Sequence, residues 1–176
     1  MTVTQIFMVQ IAVSLLVFGL VARWYVLPRL RRLPLIDALT LLILPHALRT
    51  LGLAFLVPGS GGDALPAAFA APGAYGDLLA VVLALLSVLA LRQGWRGALV
   101  VVWLFSAAGL LDFANAYAQG IRLDLVASYP LGPLWFIPTY VVPAFIVLHL
   151  LVIGLLARRG HEYIAAPRRP LPARPA

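Results

Sequence analysis

The sequence predicts an all-α, polytopic membrane bundle of five transmembrane helices, N-terminus outside and C-terminus cytoplasmic. Three observations predict it. The 176 residues are 63% hydrophobic and only 11% charged, with a mean hydropathy of +1.01. A soluble domain is roughly 45–50% apolar and about a quarter charged, so this chain cannot cover its own surface in water and lipid must solvate most of it. The apolar residues fall into runs near the ~20 residues a spanning helix needs. The arginines alternate from loop to loop as five crossings require.

The first run covers about 3–22. No positive charge precedes it and no small-residue cleavage site follows it, so it is expected to be a retained helix and not a signal peptide. Arg23, Arg29, Arg31 and Arg32 come next, with Trp24 and Tyr25 among them. The second run, about 35–57, starts after Pro34, as suits a first helical turn, and ends at the glycine-rich 58–62. The third, about 76–91, is the shortest; Asp77 at its start is expected to cap the helix, and Asp37 to do the same for the second. Arg92, Gly94 and Arg96 form a turn, and the fourth run covers about 97–118. A loop with Arg122 and Asp124 leads to the fifth, about 134–157. These runs make one transmembrane domain, 1–157, and 158–176 is expected to be a basic, proline-rich, disordered cytoplasmic tail.

The loop after the first run, the turn after the third and the tail carry eleven of the thirteen basic residues. Short-loop arginines stay cytoplasmic, which sets the orientation; four crossings would put one basic segment on the wrong side. Tyr75, Tyr129 and Trp135 are expected at the outer interface, Trp24, Tyr25 and Trp95 at the inner one. The apolar 64–72 is broken by proline and too short to cross, so it is expected to lie along the outer surface or fold partly inward.

Composition excludes several functions. There is no cysteine, hence no disulfide, iron–sulfur cluster or thiol nucleophile. The glycines of 58–62 lack a phosphate-loop lysine, and His161-Glu162 lacks the second histidine of a zinc-protease helix. The formal charge of +7 comes from arginines that flank apolar runs, so the expected partners are membrane lipids, with anionic headgroups at the cytoplasmic side, and other membrane subunits, not nucleic acid. The location that fits is the cell inner membrane.

Charged or polar residues at bilayer depth mark function by default. Here they are His46 and Arg49 in the second run, Asp112 and Asn115 in the fourth and His149 in the fifth, with Gln10 and Ser14 as milder cases in the first. At about 1.5 Å per residue, Arg49 lies roughly 20 Å and Asp112 about 22 Å from the inner edge. An unpaired charge there is costly, so the two are expected to form an ion pair, either as a clamp or as part of a ligand site. His46 shares a face with Arg49 and lies at a depth near that of His149. The imidazoles can bond carbonyls freed by Pro45, Pro138 and Pro143, bond each other, ligate a b-type haem or a metal, or form part of a proton path. Asn115 shares the Asp112 face and can bond across helices. Ser106, Ala108 and Gly109 permit close approach there. The first and third runs look mainly structural.

The expected function is therefore non-enzymatic: a small-ligand or lipid-binding membrane protein or accessory subunit, with a polar cluster between the second, fourth and fifth runs. A haem- or quinone-linked redox protein using His46 and His149 is one alternative, and a lipid-acting membrane enzyme another.

Overall fold

The computed structural model describes residues 1–59, 62 and 65–165. Among them are five helices long and apolar enough to cross a membrane: α1 (Val3–Leu30), α2 (Leu35–Leu56), α3 (Ala67–Arg92), α4 (Ala98–Arg122) and α5 (Gly132–Ile164). A short helix, Leu125–Ser128, leads from α4 towards α5. No strand occurs among the described residues.

α1 opens on a capping box in which the Thr2 side chain accepts from the Gln5 amide and Gln5 Oε1 accepts from the Thr2 amide, satisfying two orphan donors at once. It is the least buried of the five. It packs on α5, where Trp135 Nε1 donates to Gln10 Oε1 at 2.6 Å and meets the Phe7 ring edge-on. Trp135 thus packs onto α1.

α3 is the most buried helix and differs most from the expected boundaries. It begins at Ala67, so 67–72 belongs to the helix and Pro72 is absorbed within it. Residues 60 and 61 of the glycine-rich loop, 63, and the first residue of that segment, 64, lie outside the described residues. A turn with Gly94 at φ 67°, a conformation easy only for glycine, reverses the chain into α4.

α2 is not a uniform helix. It is α-helical over Leu35–Ile43 and 3₁₀ over Leu44–Leu56. Runs of 3₁₀ beyond three or four residues are uncommon, so thirteen residues need a cause. Pro45 removes one i→i−4 bond at the changeover. Beyond it, the buried residues are His46, Arg49, Gly52 and Phe55, a spacing of three. At three residues per turn these stack in one stripe, whereas α geometry would fan them around the helix. Burying this polar stripe is the structural reason for the tighter winding.

The core has two apolar layers. One joins Leu35, Leu39, Leu42 and Ile43 of α2 to Ala84 and Leu91 of α3, Val102 and Phe105 of α4, and Val152 and Leu155 of α5. The other gathers Phe55, Leu65, Ala70, Leu125, Leu131 and Leu134 at the opposite end. The basic segments meet at the first end. Arg159 donates to the Leu30 and Leu33 carbonyls and pairs with Glu162, Tyr163 donates to the Trp95 carbonyl at 3.0 Å, and Arg92 pairs with Asp37 at 3.1 Å. Asp37 therefore stands in the first turn of α2, as expected, and serves an ion pair there. The chain expected to be a tail from residue 158 is helical up to Ala165, because Arg159 and Tyr163 anchor it. The tail residues 166–176 lie outside the described residues.

Candidate functional site

Between the two apolar layers, α2, α3, α4 and α5 each contribute to one polar cluster. Its centre is Arg49, 2% exposed. Arg49 Nε donates to Asp77 Oδ1 of α3 at 2.6 Å, and Nη2 donates to Asp112 Oδ2 of α4 at 2.5 Å. The guanidinium carbon lies 3.9 Å from the centroid of the Phe113 ring, within cation–π range. The expected Arg49–Asp112 pair is present, and Asp77 joins it.

Asp77 is the residue that reading the sequence misses. Placing the helix start at Gly76 makes it a cap, but with α3 beginning at Ala67 it stands well inside the helix, 9% exposed and turned onto Arg49. The available signal is a second acidic residue in the third apolar run, level with Arg49. α3 is consequently part of the site and not only support.

Three glycines make the close packing possible. A Cβ on Gly52 would overlap the Asp77 carboxylate, and one on Gly76 the Asp112 carboxylate. At Gly109 a Cβ would overlap the His149 ring and come to 3.0 Å from Arg49 Nη1. The small residues expected on α4 therefore act where Gly109 lets Arg49 and His149 share one notch.

His46 and His149 lie side by side, ring centroids 4.2 Å apart, both fully buried. Phe105 lies 4.9 Å from His46 and 4.8 Å from His149, Phe145 lies 4.8 Å from His46, and Phe113 lies 6.1 Å from His149. None of the four imidazole nitrogens has a hydrogen-bond partner, nor does Arg49 Nη1 or the neighbouring Ser106 Oγ. Bonds from the histidines to proline-freed carbonyls are thus not what forms. The carbonyls around Pro138 take Thr139 Oγ1 on Trp135 O at 2.7 Å and Tyr117 Oη on Pro138 O at 2.8 Å. Asn115, on the Asp112 face of α4, is exposed.

An iron or zinc ion held by two imidazoles takes a place between their nitrogens, at about 2 Å from each. Rings already in contact leave no gap for a porphyrin plane. No group of three or more His, Asp or Glu suited to a metal occurs among the described residues. The arrangement instead offers hydrogen-bonding and charge recognition: donors on Nη1, acceptors or donors on the imidazoles, and two carboxylates at the edge, their side chains 13% and 16% exposed.

Comparison with curated proteins and with solved structures returned no match. A family model does match, over residues 6–157, which reaches into all five helices and includes every residue of the cluster; the chain belongs to the family described as Domain of unknown function (DUF8737).

Proposed function

We propose that this is a non-enzymatic, multi-pass protein of the cell inner membrane, N-terminus outside and C-terminus in the cytoplasm, that binds a small ligand at the Arg49 cluster. It acts as a binding or carrier component or as an accessory subunit of a larger membrane assembly. The observation that carries the reading is the set of buried polar atoms with no protein partner around Arg49: Nη1 and all four nitrogens of His46 and His149. A structural clamp needs Arg49 and its two carboxylates. It does not need a free guanidinium nitrogen facing an imidazole pair, since unpaired buried polar groups each cost about 1–3 kcal/mol. Such groups are retained where something else pairs with them.

The orientation rests on charge placement. Arg23, Arg29, Arg31, Arg32, Arg92, Arg96, Arg158 and Arg159 gather at one end of the bundle, against Arg122 and Asp124 at the other. Arginine-rich short loops remain cytoplasmic. Each arginine near an anionic leaflet adds about 1 kcal/mol of attraction, which makes anionic headgroups the partners of this end. The cluster then lies in the outer half of the bilayer.

Native mass spectrometry on protein released from native-membrane nanodiscs tests the reading. The wild type is expected to carry one small molecule per chain, and a His149→Phe variant to lose it. Wild type and variant that are equally unliganded would overturn the proposal. The haem alternative has less support, because the two imidazoles already touch; a Soret band in protein from haem-replete cells would restore it.

A further inference from the structure

We infer that a groove on the outer face of α2, at the arginine-rich end and apart from the Arg49 cluster, holds one zwitterionic phospholipid with a primary ammonium headgroup. The inference is independent of the ligand-binding reading above. The groove has a volume of about 750 Å³, within the ~300–1,000 Å³ of small-molecule sites. Asp37, Thr40, Leu41, Leu44 and Leu48 of α2 line it, together with Arg92 from the end of α3. Spacings of three and four bring these α2 residues round to one side of the helix. The charged pair stands at the end of this face nearest the arginine-rich loops, and the leucines continue it towards the middle of the bundle.

Charge complementarity selects the occupant. Arg92 and Asp37 are 3.1 Å apart, and their side chains are 54% and 45% exposed. The contact joins Nη1 to Oδ1, so further guanidinium N–H groups and Oδ2 remain for a ligand. Glu162, the other described acid at this end, has both oxygens taken by Arg159. Arginines alone favour an anionic headgroup, but here a carboxylate stands beside the arginine and repels one. A phosphate–ammonium zwitterion satisfies both charges, its phosphate on Arg92 and its ammonium on Asp37. A primary ammonium also donates hydrogen bonds to the carboxylate, whereas a quaternary one has no N–H to give. The rest of the groove suits the rest of such a lipid. Thr40 lies one turn further in, 8% exposed, and its hydroxyl has no partner, which places a donor near the level of an ester carbonyl. Leu41, Leu44 and Leu48 are each more than half exposed. From Leu41 to Leu48 the wall runs about 13 Å, against about 15 Å for the hydrocarbon half of one leaflet, so one acyl chain fits along it. A second groove of about 320 Å³ shares Leu41 and is otherwise lined by α1, with Tyr25 and Arg29 among its residues. It gives the second chain of the lipid a place beside the first.

Native mass spectrometry tests this on the full chain, delipidated in detergent and then offered equal amounts of phosphatidylethanolamine, phosphatidylcholine and phosphatidylglycerol with the same acyl chains. One lipid is expected to stay on each chain. Phosphatidylethanolamine is expected to exceed each of the others by about twofold to fivefold, the worth of one half-exposed charge pair. Asp37→Asn is expected to abolish its advantage over phosphatidylglycerol, and Arg92→Gln to weaken retention of all three. Both side chains are about half exposed, so neither change removes a buried contact. His149→Phe is expected to leave the lipid in place, which separates this groove from any ligand of the Arg49 cluster; loss of the lipid there would put it at the cluster and overturn the inference. Retention in the proportions offered means annular lipid only and overturns it too. So does a preference for phosphatidylglycerol, equal retention of phosphatidylcholine, or an ethanolamine preference undiminished in Asp37→Asn and Arg92→Gln. A dimer with no lipid bound would show a second copy of the chain on this face, and that also overturns the inference.

Discussion

Arg49 has no solvent to fall back on, so its Nε and Nη2 and their two carboxylate partners act as a unit. Removing one member of a buried ion pair costs about 3–5 kcal/mol, because the survivor is left as an uncompensated charge. Arg49→Ala and Asp112→Ala are each expected to fall in that range, and the double variant to lose clearly less than their sum. Reversible unfolding in mixed micelles measures this; strict additivity would show that the 2.5 Å contact carries no coupling. Asp77→Ala in the same cycle is expected to couple to Arg49 as well. Gly109→Ala is a sharper probe of geometry. Its added methyl meets the His149 ring and Arg49 Nη1, and overpacking of this kind costs about 1–3 kcal/mol. A Gly109→Ala protein as stable as wild type would mean that the notch is wider than described.

At the scale of the helices, the Leu44–Leu56 segment of α2 makes the most specific claim. The chain has no cysteine, so single cysteines can be spin-labelled against a clean background. Oxygen accessibility measured along 44–56 is expected to reach minima at 46, 49, 52 and 55, the buried stripe. Minima spaced at three and four in turn would indicate an α-helix and remove the reason for the stripe. The helices differ in how readily the sequence reveals them. Long apolar runs and alternating arginines point to five helices and to a polar pairing of Arg49 with Asp112. The pattern does not reveal where α3 begins, because Pro72 reads as a break, and Pro tolerated inside a helix depends on neighbours that supply the missing contacts. Misplacing that start turned Asp77 into a cap. The 3₁₀ winding was equally hidden. His46, Arg49, Gly52 and Phe55 can be read at spacing three, but only packing on α3, α4 and α5 decides that this spacing outweighs the 3.6-residue period. Asn115 shares a face with Asp112, yet Asp112 turns to Arg49 while Asn115 remains exposed.

For the whole molecule, orientation is the property with the clearest readout. A single cysteine at Thr2 is expected to react with a membrane-impermeant maleimide added to intact cells, and one at His161 only after the membrane is opened. The reverse pattern would place the arginine-rich end outside and the Arg49 cluster in the inner half of the bilayer. The two apolar layers also differ in what they ask of the chain. The layer around Leu39, Leu91 and Val102 is built from all five helices, Leu30 of α1 included, and holds the bundle together below the site. The layer around Phe55, Leu65 and Leu131 draws on the connections between helices and closes the site from the other side.

The spacing of three in α2 has a consequence for how relatives of this chain can vary in length. In a 3₁₀ helix one inserted residue rotates everything beyond it by about 120°, which would carry Gly52 and Phe55 out of the stripe and away from α3. Three inserted residues complete one turn, restore the phase, and lengthen the segment by about 6 Å. Length changes between Leu44 and Leu56 are therefore expected in triplets, a rhythm otherwise familiar from codons rather than from helices.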